Sequence, residues 1–178
     1  MPLTNLAAFT IKPLSGQWLM RILITDVNVH VSAQKNFSSV KAIWDTGATG
    51  SAITKKVVQQ LGLVATGMAN VHTANGMALQ KTYTIDIGLP NKTVIQGIIA
   101  TEIDALTTGC DALIGMDVIT LGDFSITNHK GTTCMSFRVP SGHEIDYVKN
   151  LNYGLTPIKH IQPGKPGSNF TKPKKKRK

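Results

Sequence analysis

The residue best suited to chemistry in this 178-residue chain is Asp45. It follows directly on a largely apolar segment, residues 40–44, and begins the tetrapeptide Asp45, Thr46, Gly47 and Ala48. Aspartate is depleted in β-strands and a carboxylate is costly to remove from water, so its place at the end of an apolar strand needs a chemical reason. A carboxylate held on a tight glycine turn can act as a general acid or base, and we therefore expect Asp45 to be catalytic.

A second apolar segment leads into a glycine further along the chain. Residues 112–117 read Ala-Leu-Ile-Gly-Met-Asp. Together with the turn at Asp45, this segment resembles the retropepsins, the retroviral-type aspartic proteases, and in particular their bacterial relatives. Those relatives also have a Gly-Asp-Phe segment after the two motifs, and this chain has one at residues 122–124. The resemblance extends over residues 19–140.

The resemblance implies an all-β fold, namely a closed retropepsin-type barrel with a flap hairpin and one or two short helices. It also implies a homodimeric aspartic endopeptidase, because the chemistry needs two carboxylates and the sequence offers one Asp-Thr-Gly. Each subunit would then contribute its own Asp45. Two carboxyl groups so close together share one proton, so one can activate a water molecule while the other polarises the peptide carbonyl.

The same family pattern assigns roles to the neighbours of Asp45. The Thr46 hydroxyl would bond across the dimer interface, and Gly47 would bring its N–H towards the carboxylates. Ala48 stands where many acid proteases have serine, a difference that the retroviral members share. The strand packed behind the site would consist of Leu113, Ile114 and Gly115.

A hairpin is predicted between the two motifs. Asn75 and Gly76 lie between two extended arms within residues 71–79, and Asn-Gly is a strong signal for a tight turn. We expect this hairpin to be the flap that closes over a peptide substrate. Ala74, Asn75 and Gly76 would form its substrate-binding tip, although most Asn-Gly hairpins only reverse the chain.

Other segments predict the elements that position these residues. Residues 54–61 predict a helix with Thr54 as its N-cap and Gly62 as its stop. The apolar alternation in residues 20–31 slips by one position, which predicts a β-bulge near residues 25–26. Asp117 is expected to cap a short helix that ends at Gly122. The total is about eight strands.

Composition indicates one folded domain with a charged tail. The chain has 19 Lys and Arg against 10 Asp and Glu, and seven of the basic residues lie within residues 165–178. We therefore divide the chain into an N-terminal extension (1–18), a protease domain (19–145) and a C-terminal extension with a disordered basic tail (146–178). The sequence of the tail resembles a basic nuclear localisation signal. The tail could also make weak contact with polyanions.

No metal or organic cofactor is expected. Cys110 and Cys134 lack metal-ligand spacing, and the five histidines are scattered. Residues 1–20 lack the pattern of a secretory signal, and no apolar run is long enough to cross a membrane. We therefore expect a cytoplasmic protein without a membrane partner, or a nuclear one in a eukaryote.

Three alternatives remain open at this point. The chain could be a catalytically inactive retropepsin-fold module that dimerises or binds peptides. Asp45 could serve phosphoryl transfer, although that chemistry is typical of a parallel α/β sheet with magnesium carboxylates. A nucleic-acid-binding protein led by its tail would need basic residues on the folded part, where charges are nearly balanced.

Overall fold

The computed structural model describes most of the first 149 residues. The described ranges are 3–4, 7–13, 20, 22–32, 34, 36–73, 76–106 and 109–149. The chain divides into two units, Met1–His143 and Glu144–Lys178. All the helices and strands that the structure describes lie in the first unit, and residues 144–149 are the described part of the second. The predicted basic tail lies outside the described residues.

Within these ranges the chain forms eleven strands, two α-helices and one 3-10 helix. The strands are β1 (Leu3–Thr4), β2 (Ala8–Ile11), β3 (Ile24–Val31), β4 (Phe37–Trp44), β5 (Ala52–Thr54), β6 (Gly67–Thr73), β7 (Gly76–Gly88), β8 (Val94–Ile103), β9 (Ala112–Ile114), β10 (Asp123–Thr127) and β11 (Cys134–Arg138). The helices are α1 (Lys55–Leu61), α2 (Met116–Ile119) and the 3-10 helix His129–Gly131. The all-β prediction is confirmed, but the predicted number of strands was too low. It missed β1, β2 and β5, which are too short to show alternation.

The larger sheet closes on itself. Its strand order is β3-β4-β9-β5-β8-β7-β6, and β7 also pairs with β3. Strands β4 and β9 run parallel, as do β5 and β8, while the remaining pairs are antiparallel. The core lies inside this ring and is built from alternate residues of the strands, such as Val29, Ile85 and Ile114, which are fully buried.

Strand β3 contains no bulge. It pairs with β4 without a register shift, and Thr25, Val27 and Val29 are its buried residues. The bulge predicted near residues 25–26 is therefore wrong. A threonine occupies the inward position instead, because its hydroxyl accepts a hydrogen bond from the indole N–H of Trp44 at 2.9 Å. Because the hydroxyl is hydrogen-bonded, its burial does not carry the free-energy cost of an unsatisfied polar group.

Helix α1 confirms the predicted element but not its predicted cap. Thr54 has an extended backbone, and its side chain makes no capping hydrogen bond. Its hydroxyl donates to Asp111 Oδ1 at 3.2 Å instead. The helix ends at Gly62 in the left-handed conformation, as predicted. Its two valines are buried, so packing holds the helix where propensity is weak.

The smaller sheet packs aromatic side chains against the core. Its order is β1-β2-β11-β10, so two strands from the predicted N-terminal extension, β1 and β2, belong to it. Phe9 and Phe137 from this sheet lie 5.8 and 5.0 Å from the ring of Trp44, measured between centroids. Phe124 stacks on the same indole at 5.7 Å with an interplanar angle of 10°. The residue directly before Asp45 is thus fixed by three aromatic contacts.

Among the described residues, no helix has the length and apolar character needed to cross a membrane.

Candidate active site

Asp45 lies at the end of β4, where the chain leaves the sheet. Its backbone N–H donates to the carbonyl of Ile114 at 2.9 Å, which extends the parallel pairing of β4 and β9 by one hydrogen bond. The side chain is half-buried. Its Oδ1 accepts the backbone N–H of Gly47 at 2.8 Å. The backbone carbonyl of Asp45 accepts the N–H of Ala48 at 3.3 Å, which closes the turn. The glycine turn therefore orients the carboxylate from the backbone.

The loop after Asp45 is open to solvent. Thr46, Gly47, Thr49 and Gly50 are exposed, and Ala48 is half-buried. In the described part of the chain, no hydrogen bond or ion pair joins the Asp45 carboxylate to a second carboxylate. Asp45 is the one acidic residue on this loop, residues 45–50.

Strand β9 and the glycine after it lie directly behind the loop. Leu113 is half-buried and Ile114 is fully buried, and β9 pairs with β4 on one side and β5 on the other. A Cβ on Gly115 would lie 2.5 Å from the backbone carbonyl of Gly50, a distance that no side chain tolerates. Only glycine at position 115 allows the two backbones to come this close.

Two backbone hydrogen bonds join the two motifs at this contact. The N–H of Met116 donates to the carbonyl of Ala48 at 2.8 Å, and the N–H of Asp117 donates to the carbonyl of Thr49 at 3.2 Å. The loop of the first motif and the start of α2 thus form one hydrogen-bonded unit.

Asp117 does not occupy the position predicted for it. Gly115 is the N-cap of α2, and the helix ends at Ile119 rather than near Gly122. The Asp117 carboxylate instead reaches Ser51: Oδ2 accepts the Ser51 N–H at 2.9 Å and Oδ1 accepts the Ser51 hydroxyl at 2.8 Å. Sequence reasoning missed Ser51, because its partner lies 66 residues away and no local spacing connects them.

The predicted hairpin is present. β6 and β7 pair up to Thr73 opposite Gly76, and Ala74 and Asn75 of the predicted tip lie outside the described residues. Gly76 is the first residue of β7, with φ +109°, a conformation that favours glycine. Its neighbour Met77 is exposed.

The hairpin presents apolar side chains to solvent. Met77 and Leu79 are 65% and 59% exposed. Because side chains alternate along a strand, these two lie on the same face of β7 as the buried Tyr83 and Ile85. The same face of the hairpin also carries the exposed Lys81 on β7, and His72 and Asn70 lie opposite Met77 and Leu79 on β6, so the two apolar side chains stand on a mixed, solvent-exposed surface.

Two further carboxylates, those of Asp123 and Glu102, bind neighbouring side chains of the fold. Asp123 is the first residue of β10 and forms an ion pair with Arg138 on β11. The hydroxyl of Ser141 at 2.6 Å, the N–H of Gly142 at 3.0 Å and Arg138 hold the pKa of Asp123 well below its usual range. These contacts hold Asp123 in its ionised form.

Glu102 is buried beside Tyr83, whose phenol donates to Glu102 Oε2 at 2.6 Å. Burial and this neighbouring carboxylate raise the pKa of the Tyr83 phenol to about 12. Among the described residues, no group of three or more His, Cys, Asp or Glu side chains is close enough together to hold a metal ion. Of the five histidines, His160 lies outside the described residues.

Several solved structures are similar to this chain. The EIAV protease complexed with an inhibitor is 16% identical, with a TM-score of 0.46, over 57% of this chain and 88% of that one. A retropepsin-like aspartic protease from Rickettsia conorii is 18% identical, with a TM-score of 0.43, over 69% of this chain and 99% of that one. The retroviral protease-like domain of Ddi1 from Leishmania major is 16% identical, with a TM-score of 0.39, over 65% and 95%.

A comparison with curated protein sequences finds no match. The sequence model of one family, described as "gag-polyprotein putative aspartyl protease", matches residues 30–120. That range contains the Asp45 turn, the hairpin and the Gly115 segment. The resemblance to retropepsins is thereby confirmed, and the chain belongs to this aspartyl protease family.

Proposed function

We propose that the protein is a homodimeric aspartic endopeptidase in which Asp45 from each subunit forms the catalytic pair. The observation that carries the proposal is the Asp45 carboxylate itself, held at 2.8 Å by the Gly47 N–H on an exposed loop at the end of β4. One chain offers half of the carboxylate pair that acid protease chemistry needs. A twofold axis beside this loop would supply the other half.

In this dimer the two carboxyl groups share one proton. Like charges a few ångströms apart do not both ionise readily, so one group stays protonated at working pH. The ionised carboxylate takes a proton from a bound water as the water attacks the peptide carbonyl. The protonated carboxyl donates a hydrogen bond to the carbonyl oxygen and stabilises the charge that develops there.

The remaining loop residues support this arrangement. Thr46 is exposed, so its hydroxyl can bond to the opposite subunit. Gly47 supplies the N–H that orients Asp45. Ala48 fastens the loop through its carbonyl, which accepts the Met116 N–H at 2.8 Å. Each role uses a group whose position suits it.

The hairpin of β6 and β7 serves as the flap. The exposed side chains of Met77 and Leu79 on this hairpin suit contact with apolar side chains of an extended peptide. Closure of such a hairpin would exclude bulk water from the reacting peptide. Ala74, Asn75 and Gly76 would form the tip that contacts the peptide backbone.

Digestion of a peptide library tests the proposal, with the mass of the protein measured in solution at the same concentration. Asp45→Asn keeps the shape of the side chain but removes the base and the shared proton, so cleavage should cease while the dimer persists. Asp26→Asn is the matched control, because the Asp26 side chain is 81% exposed on β3 and should leave cleavage unchanged. A dimer that cleaves nothing would instead be a noncatalytic module of the same fold, and cleavage that survives Asp45→Asn would remove Asp45 from the mechanism.

A further inference from the structure

The Asp45 loop is fastened at its far end by a buried serine. Ser51 is 1% exposed and follows the exposed Gly50 directly. Its hydroxyl donates to Asp117 Oδ1 at 2.8 Å and accepts the Gly115 N–H at 3.1 Å. Its own N–H donates to Asp117 Oδ2 at 2.9 Å. Three hydrogen bonds therefore join this one residue to the segment that carries the second motif.

We propose that Ser51 and Asp117 are positioning residues that hold the Asp45 loop in its catalytic geometry. The inference rests on the proposed protease function and concerns the same site. The loop is anchored at both ends, by the Asp45 N–H bonded to Ile114 and by Ser51 bonded to Asp117. In between, the carbonyls of Ala48 and Thr49 accept backbone hydrogen bonds from the segment that carries the second motif. Between these anchors the loop residues are exposed or half-buried, so few packing contacts hold them.

The chemistry of the pair explains why a charged residue is used. The Asp117 carboxylate accepts three hydrogen bonds, two from Ser51 and one from the Val118 N–H at 3.0 Å. An ionised carboxylate has no hydrogen to donate and can accept all three. A carboxamide at position 117 would present an NH₂ group to one of these donors. Loss of the Ser51 hydroxyl would leave both an Asp117 oxygen and the buried Gly115 N–H without that partner.

The close approach of Gly115 and Gly50 makes the loop sensitive to this pair. The two backbones touch at a distance that admits no side chain, so loosening at Ser51 would let the loop move away from β9. The turn that orients Asp45 lies within the same loop, since the Gly47 N–H bonds its carboxylate. In the dimer, a shift of about 1 Å between the two carboxylates can lower catalysis about a hundredfold.

The test compares two buried hydroxyls with the same hydrogen-bond pattern. Thr133 is also 1% exposed, and its hydroxyl donates to Asn128 at 2.7 Å and accepts the Met20 N–H at 3.0 Å. Ser51→Ala should lower kcat by about ten- to one-hundredfold with KM within about twofold. Thr133→Val should lower the melting temperature comparably but leave kcat unchanged. If Ser51→Ala also leaves kcat unchanged, the serine is only structural and the proposal is overturned.

Asp117→Asn combined with Ser51→Ala tests whether the two residues act together. If the two residues act as one unit, the double variant should have nearly the same kcat as the less active of the two single variants. The effects on kcat would then be non-additive. Fully additive effects on the logarithm of kcat would contradict a joint role.

Hydrogen exchange separates this proposal from the proposed function. The Gly47 amide, bonded to Asp45 Oδ1, should exchange faster in Ser51→Ala than in Thr133→Val, whether or not the protein cleaves peptides. An inactive wild type with this exchange difference would end the protease proposal and keep the positioning role. Equal exchange at Gly47 in the two variants would overturn the positioning role, even in an active enzyme.

Discussion

The indole N–H of Trp44 donates to the Thr25 hydroxyl at 2.9 Å, directly before the candidate catalytic residue. Both side chains are buried, so the bond lies where water cannot replace it. Thr25→Val removes the acceptor at constant shape and leaves the indole N–H unsatisfied, which should lower the free energy of unfolding by about 1–3 kcal/mol. Urea denaturation measures this loss. Thr25→Ser keeps the hydroxyl and should cost clearly less; an equal loss in both variants would assign the effect to packing.

A mixing experiment tests whether the site is shared between subunits. When wild-type chains are equilibrated with a ninefold excess of Asp45→Asn chains, the activity per wild-type chain should fall to about one-tenth. The reason is that most wild-type chains then pair with an inactive partner. Peptide hydrolysis measured before and after subunit exchange gives the ratio. If the activity per wild-type chain does not change when Asp45→Asn chains are added, each chain carries a complete site.

The exposed apolar side chains of the hairpin should contribute to substrate binding and not to stability. Leu79→Asp should lower kcat/KM for peptide cleavage by about tenfold or more, because it places a charge where an apolar peptide side chain would pack. The melting temperature should hardly change, since Leu79 is 59% exposed. Val64→Asp is the matched control, because Val64 is 83% exposed and lies outside the hairpin. If both variants cleave like wild type, the hairpin face does not contact substrate.

The contacts of Asp123 should make part of the stability depend on acid pH. The Ser141 hydroxyl, the Gly142 N–H and Arg138 lower the pKa of Asp123 in the folded state. A carboxyl whose folded pKa is lowered stabilises the fold above its unfolded pKa, about 3.9, and this stabilisation is lost as pH falls through the folded value.

The urea midpoint should therefore drop below about pH 4 in wild type. The drop should be smaller in Asp123→Asn, which is already less stable at pH 7. Ser141→Ala, which removes the largest contribution, should change the acid response in the same direction. An acid response identical in all three proteins would show that Asp123 does not contribute to it.

The basic tail should affect polyanion binding and not peptide cleavage. Seven of the 19 basic residues lie within residues 165–178, without an acidic residue among them. Deleting residues 168–178 should weaken binding to nucleic acid and flatten its salt dependence, because fewer phosphates are neutralised. Cleavage of a short neutral peptide should stay the same at low and physiological salt. Loss of cleavage on truncation, with the fold intact, would place the C-terminal segment in the dimer or the cleft.

The sequence alone was enough to identify the family and the hairpin, and to single out Asp45 as the candidate catalytic residue. Asp45 stands out because aspartate is rare in strands and its carboxylate is costly to remove from water, so its place on a glycine turn after an apolar strand indicates a functional role. Tyr83, Ile85, Ile87 and Leu89 occupy alternate positions, a pattern that predicts a strand, and all four are buried in β7 or just after it. These features are local, so they can be recognised without knowing which segments meet.

The tertiary structure decided what depends on distant partners. Thr25 takes an inward position, which alternation of apolar residues could not predict, because the hydrogen bond that compensates its burial comes from Trp44 on the next strand. The sequence neighbours of Asp117 predict a local helix cap. Its carboxylate instead binds Ser51, because the parallel pairing of β4 and β9 brings two segments 66 residues apart into contact. Sequence periodicity reports which residues are apolar; only the folded pairing of strands determines which polar groups satisfy one another.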